Sequence, residues 1–305
     1  MTTLSEQLAA ARAGAAVGPV LAPGFLRATG KDARDYLHRM STQDLARLAP
    51  GQAAHAAFLT ARGHLVGEGI VRVEEDGALL ALDPAARPGT QALLEKLVVM
   101  DEVALADASA TLRAVPLLGP QARERLGARG GPRRVETARH GAPGLEAWLP
   151  PAEAEALRAE LVAEGWPALD GAALEALRVL GGQPRWGAEL DEGRLPMEAG
   201  LTRSAISFTK GCYIGQEVVV RATARGHLQR GLVQLALPEG AGPGTPLLAP
   251  GGAEVGRVTS AAATPDGRVG LGYLRRAHWR EGERLVAGAG EAVVRRVIVE
   301  DGIPG

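Results

Sequence analysis

The sequence predicts an α+β fold: two α+β units packed around antiparallel sheet, followed by a small C-terminal antiparallel β-barrel or sandwich. Three observations carry this expectation. A run of short strands followed by a helix occurs twice in the first half of the chain. Helical patterns stop beyond Arg225. Short strand patterns cut by turns fill what remains. At 305 residues the chain is also long for a single core,. The change of texture sets a domain boundary near residues 225–230, with an α+β region over 1–225 and a β domain over 226–305.

Residues 5–13 suit a short helix, and Gly30-Lys31-Asp32-Ala33 opens a second one with Tyr36 and Leu37 on its core side,. Residues 55–83 alternate and are cut at Arg62-Gly63 and at Glu75-Asp76-Gly77, which reads as a meander of about three strands,. Thr90 can cap a helix through Met100,. Two short strands follow, near 103–105 and 111–118, and Pro120 sits in the first turn of the next helix,. A Gly/Arg/Pro loop over 128–134 leads to a strand over 145–149 and the helix PAEAEALRAELVAEG. Residues 171–181 form one more helix, and a loop broken by Pro and Gly runs to about Ser207. Beyond it, residues 228–237, 253–261, 268–274, 283–287 and 292–300 read as strands,.

Apolar residues make up 46% and charged residues 23%, as in an ordinary soluble globular protein,. A net charge of -1 gives no global reason to expect nucleic acid or an anionic membrane as partner,. No apolar run is long enough to span a bilayer, and the N-terminus lacks the basic start and clean apolar block of a signal peptide,. A cytoplasmic location is the expectation. One cysteine excludes an intramolecular disulfide and a four-thiolate cluster, and the six histidines show no metal-ligand spacing,.

That cysteine stands in Ser207-Phe208-Thr209-Lys210-Gly211-Cys212-Tyr213-Ile214-Gly215-Gln216-Glu217. Lys, Phe, Tyr and Cys together supply ten residues in 305, so six positions should hold about 0.2 of one by composition alone,. Residues 208–213 hold four. Lys210 places a positive charge near the thiol, and the residues after Cys212 suit either a helix start or, through Val218–Val220, a strand. A cation and a helix N-terminus both favour the thiolate. Gly211 and Gly215 permit positive φ or close approach of a ligand, and Gln216 and Glu217 can hydrogen-bond a polar ring. The same residues fit a small cysteine packed in a tight turn. Arg221, Arg225 and Arg230 follow at near-helical spacing. They fit an anion-binding cluster or, since Glu217 and Arg221 are four apart, a surface ion pair. Trp186 and Glu198 lie in the preceding loop, where Trp186 suits domain packing or stacking.

Residues 210–217 (KGCYIGQE) resemble the signature of the YgfZ folate-binding family, which is related to the T-protein (aminomethyltransferase) of the glycine cleavage system. Residues 221–226 (RATARG), 178–184 (RVLGGQP) and 196–201 (PMEAGL) are similar to the family's flanking segments. So, more loosely, are residues 30–33 (GKDA), 42–45 (TQDL) and 59–63 (LTARG). The resemblance implies a T-protein-like fold around a central folate site closed by a C-terminal barrel. It implies a tetrahydrofolate or other reduced folate as ligand, and a role in assembling or repairing iron–sulfur clusters in client proteins. The site set it implies is Cys212 and Lys210 as functional groups, with Arg178, Trp186, Glu198, Gly211, Tyr213, Gly215, Gln216, Glu217, Arg221 and Arg225 around the folate.

One position departs from the pattern. The family carries Glu where this chain has Leu180, and in T-proteins that Glu helps hold the pterin. Leucine accepts no hydrogen bond, and a lost charge-assisted bond weakens binding by about 1.5–3 kcal/mol. Glu198 or Glu217 would have to compensate. Two other functions fit the resemblance: a tetrahydrofolate-dependent one-carbon transferase, and a scaffold of the same fold without folate. T-proteins lack the KGC motif, so its presence favours the iron–sulfur role.

Overall fold

The computed structural model describes residues 2–225 and 228–300, so two of the residues at the expected domain boundary, Gly226 and His227, lie outside the described residues. In chain order the elements are α1 (Leu4–Ala13), β1 (Ala16–Val17), β2 (Gly24–Thr29), α2 (Ala33–Met40), β3 (Ala53–Leu59), β4 (Leu65–Glu74), β5 (Gly77–Leu82), α3 (Arg87–Leu97) and β6 (Ala104–Asp107). They continue with β7 (Arg113–Leu118), α4 (Ala122–Leu126), β8 (Arg134–Thr137), β9 (Gly144–Leu149), α5 (Pro151–Ala163), α6 (Gly171–Gly181), α7 (Thr202–Ala205) and α8 (Gln216–Arg225). The last strands are β10 (Arg230–Leu237), β11 (Pro246–Leu248), β12 (Glu254–Thr264), β13 (Gly267–Arg275), β14 (Arg284–Ala287) and β15 (Gly290–Val297).

The expected class is the observed one. One antiparallel sheet runs β3-β4-β5-β2-β6, a second runs β1-β7-β9-β8, and β10-β13-β12-β11-β14-β15 closes into a barrel. The sequence GALLAL of β5 shows how the sheets meet. All six residues are buried. Ala78, Leu80 and Leu82 face α2 with Tyr36 and Leu37, while Leu79 and Ala81 face the second sheet with Val135 and Trp148. Alternate side chains point to opposite faces, so a strand covered on both sides reads as a continuous apolar run. Phe25 of β2 meets Trp148 edge-on at 5.2 Å, which closes the seam between the sheets,.

Local chemistry sets the helix ends. Thr3 accepts from the Glu6 amide at 3.3 Å while Glu6 accepts from the Thr3 amide at 2.7 Å, a capping box that starts α1,. Asp170 accepts from the Ala173 amide at 2.8 Å, and Gly182 ends α6 in the left-handed region at φ 71°,. α3 begins three residues before Thr90. Pro88 supplies its first turn, and buried Thr90 turns its hydroxyl back to the Ala86 carbonyl at 2.9 Å,. The segment after Cys212 is helical, as α8, and not a strand. Several elements were absent from the expected pattern, among them β1 and the six-residue strand β2. β8 begins within the expected loop and buries only Val135 of its four residues. β11 has three residues, and α7 is a single turn inside the long loop.

The helix α6 joins the sheets to the barrel. Ala173, Ala176 and Leu177 pack on Val269, Leu271 and Tyr273 of β13, whose alternate residue Leu274 points into the barrel core with Val233, Leu235 and Val294.

Candidate functional site

A cleft of about 560 Å³ opens where the two sheets, α6 and the loop after it converge. β3 and β4 contribute His55 and Glu68, β5 ends at Leu82 and Asp83 on its wall, and the turn before β9 contributes Arg139 and His140. One face of α6 adds Leu174, Glu175 and Arg178, spaced i, i+1, i+4,. Pro184, Arg185, Trp186 and Leu201 close the remaining side.

Several ionic groups on the wall are tied to neighbouring side chains. His55 Nε2 and Glu68 Oε2 lie 2.5 Å apart across the β3–β4 hairpin. Glu68 Oε1 has no protein partner among the described residues. Arg139 grips fully buried Glu146 through Nε and Nη2 at 2.6 and 2.7 Å, while His140 and Trp148 bond the same carboxylate at 2.6 and 2.8 Å. Burial alone would raise the Glu146 pKa, but Arg139, His140 and Trp148 together pull it far below the ordinary carboxylate range,. Arg178 donates from Nε and Nη2 to Glu175, from Nη1 to the Gln183 carbonyl and Glu189, and from Nη2 to Ser260 of β12. Glu189 is fully buried and also accepts from Thr259, Ser260 and the Arg185 amide. Arg178 is therefore a structural tie between α6, the loop and the barrel, with its donors committed.

The Cys212 turn has a different architecture. Cys212 is exposed. Lys210 is turned inward, 8% exposed, and its ammonium donates to three backbone carbonyls in and just after the last turn of α2: His38, Ser41 at 2.7 Å and Gln43 at 3.1 Å. It also lies 5.3 Å from the centroid of the Tyr213 ring,. Burial pulls the Lys210 pKa down to about 8, with Asp44 opposing. Tyr213 is a core residue, packed with Leu59, Met197 and Leu228 near the start of the barrel, and burial pushes its phenol up to about 12. Gly215, at φ 83°, turns the chain into α8, and a Cβ there would meet the Thr60 carbonyl at 2.7 Å,. Gly211 has neither positive φ nor a neighbour within 4 Å of a Cβ, so it does not serve the close approach expected of it.

Of the expected folate set, only Arg178 and Trp186 line the cleft. Lys210, Gly211, Cys212, Tyr213, Gly215, Gln216, Glu217 and Arg221 belong to the turn and α8, outside its walls. Glu198 is buried and accepts from Arg230 Nε at 3.0 Å, fastening the loop to β10. Glu217 and Arg221 pair with each other on the exposed face of α8. The Arg225 side chain lies outside the described residues. Leu180 packs into the cluster of α6 and β13 and does not line the cleft, and neither Glu198 nor Glu217 reaches the cleft to compensate for it. The two regions share one layer, because Leu201 and Trp186 line the cleft and pack into the cluster holding Tyr213.

Reasoning from sequence missed His55, Glu68, Arg139, His140, Glu175 and Arg185. A signal existed for the first two: both are polar residues on the strand face that carries Ala57 and Leu59 into a core,.

Residues 2–139 match the GCVT N-terminal domain, and residues 229–300 match the CAF17 C-terminal beta-barrel domain. An aminomethyltransferase of Rubrobacter xylanophilus is 33% identical over 270 residues, covering 80% of this chain and 72% of that protein. A chloroplastic protein of Arabidopsis thaliana, named only as a transferase, is 26% identical over 276 residues, covering 83% of this chain and 63% of its own length. The glycine cleavage system aminomethyltransferase T of Bartonella henselae has the same fold, with a TM-score of 0.82 over 99% of this chain and 91% of its own, at 22% identity. The paired domains, the sequence relatives and the closed barrel behind a T-protein-like sheet region together place this chain in the YgfZ/CAF17 family of T-protein relatives.

Proposed function

We propose that the chain binds a reduced folate in the central cleft and supports the assembly or repair of iron–sulfur clusters in client enzymes. The observation that carries the first half is the set of groups brought together around the cleft. Glu68 offers an uncommitted carboxylate oxygen to ring N–H groups, and Trp186 offers a flat apolar face,. Arg185, half-exposed at the rim and paired only at 3.6 Å with Glu175, suits a carboxylate tail,. A cleft of about 560 Å³ falls within the size range of small-molecule sites,. These residues fit a pterin with an acidic tail, and Glu68 supplies the carboxylate that Leu180 lacks. A bound reduced folate would supply one-carbon carriage at its ring nitrogen; the protein's share is to hold, orient and shield it.

The second half rests on Cys212. The thiol is the chain's single one, exposed, on a turn whose neighbours are locked into the core. A lone thiolate can complete a ligand set supplied by a partner or form a mixed disulfide with it. Titration with tetrahydrofolate, followed by Trp fluorescence, should saturate in wild type and lose its signal in Trp186→Phe. Glu68→Gln should weaken binding about ten-fold or more. No saturable binding would refute the folate reading. In a strain lacking its own family member, wild type should restore cluster-dependent enzyme activity under oxidative stress and Cys212→Ala should not. Equal rescue by both would remove the thiol from the function.

A second reading has its own support: several sequence relatives carry the name aminomethyltransferase. A one-carbon transferase would consume aminomethyl-lipoyl carrier in vitro in the presence of tetrahydrofolate. Turnover without cluster rescue would favour it.

A further inference from the structure

We propose that Gln43 couples the central cleft to the Cys212 turn, so that ligand binding and the covalent state of the thiol influence each other. The inference rests on the folate reading of the cleft and adds its regulation. Gln43 follows α2 and touches four parts of the chain. Its Nε2 donates to the His55 carbonyl at 3.1 Å and to the Ser204 carbonyl at 3.4 Å. Its Oε1 accepts from the Asp44 amide at 3.0 Å, which fixes the amide orientation,. Its own carbonyl accepts from Lys210 Nζ at 3.1 Å.

The two carbonyls come from the two elements that link cleft to turn. His55 itself lines the cleft on β3. Ser204 lies in α7, which starts immediately after the cleft residue Leu201. A ligand that shifts either element moves a partner of the same amide group. The next link is Lys210, two residues from Cys212. Beside this path the backbones are already fastened: the Ser207 amide donates to the Thr42 carbonyl at 2.9 Å, and the Thr42 hydroxyl donates to the Ala205 carbonyl at 2.5 Å. Slack is small, so a displacement at one end is passed on and not absorbed. Linkage then demands reciprocity: whatever factor the thiol's state imposes on ligand affinity, the ligand imposes on the thiol's equilibrium.

The single cysteine makes the test clean. Wild-type protein is thiomethylated at Cys212 with methyl methanethiosulfonate, and the affinity of 5-formyltetrahydrofolate is measured by calorimetry before and after. Affinity should change by about five-fold or more. In Gln43→Ala, the unmodified protein should bind within about two-fold of wild type, and thiomethylation should then change affinity by less than about two-fold. Gln43→Met keeps the side-chain length without the amide, and should behave as Gln43→Ala if the bonds matter and not the packing. Equal affinities for both thiol states in wild type would overturn the coupling, as would an undiminished ratio in both Gln43 variants. Absence of binding in every sample would instead refute the folate reading on which the coupling depends.

Discussion

Within six residues the Cys212 turn divides its labour. Lys210 points in, Cys212 points out, Tyr213 fills the core and Gly215 turns the chain. The lysine was expected to act on the thiol. Instead its ammonium satisfies carbonyls at the end of α2, where the helix leaves them without intrahelical partners,. The two glycines are not equivalent either. Gly215→Ala must force a side chain into a left-handed backbone and against the Thr60 carbonyl, costing about 1–3 kcal/mol,. Gly211→Ala meets open space and should stay within about 0.5 kcal/mol of wild type,. Urea denaturation of both variants checks this, and equal stabilities would contradict the geometry.

Among the elements, α6 forms one side of the cleft and packs against the barrel. Its limits, 171–181, were legible from sequence, and so were five of the six barrel strands, from their turns. β8 was not, because a strand with one buried residue among arginines carries no alternation. The cleft was legible only at Arg178 and Trp186. Its other polar groups come from strand positions whose facing depends on a register that exists only after pairing. Leu180 illustrates the limit: its place in the motif says pterin, its packing says barrel. Leu180→Glu should therefore leave folate affinity unchanged and lower the melting temperature. A loss of about 2 kcal/mol corresponds to about 3 °C in a chain of this size, and tighter binding would show that Leu180 reaches the ligand. β9 supplies a second test through Glu146. Its pKa is depressed in the fold, so the stability it contributes is present above its unfolded value near 4.5 and is lost as pH falls below that,. Glu146→Gln should cost about 3–5 kcal/mol at pH 7, since Arg139 loses its partner,. The gap from wild type should narrow between pH 5 and pH 3 in thermal melts, and a gap independent of pH would contradict the ionic account.

Over the whole molecule, the sheets and the barrel are joined by the buried pair of Arg178 and Glu189, with Ser260 and Thr259 completing the carboxylate's partners. Arg178→Met keeps the bulk but strands a fully buried charge, and should cost about 3–5 kcal/mol,. Calorimetry should show the barrel and sheet transitions, joined in wild type, drawing apart; one unchanged transition would mean the apolar contact between α6 and β13 suffices. The inward lysine also has a consequence for biosynthesis. Lys210 and Gln43 are 167 residues apart, yet each holds the other's segment in place. A ribosome adds about 5–20 residues per second, so the end of α2 waits roughly 10–30 s for its cation. During that interval the face of β3 that carries Ala57 and Leu59 has no Tyr213 and no Met197 to cover it. The nascent chain thus spends that interval with an apolar face still uncovered, and a chaperone that recognises such faces would meet this protein before the protein meets its own cysteine.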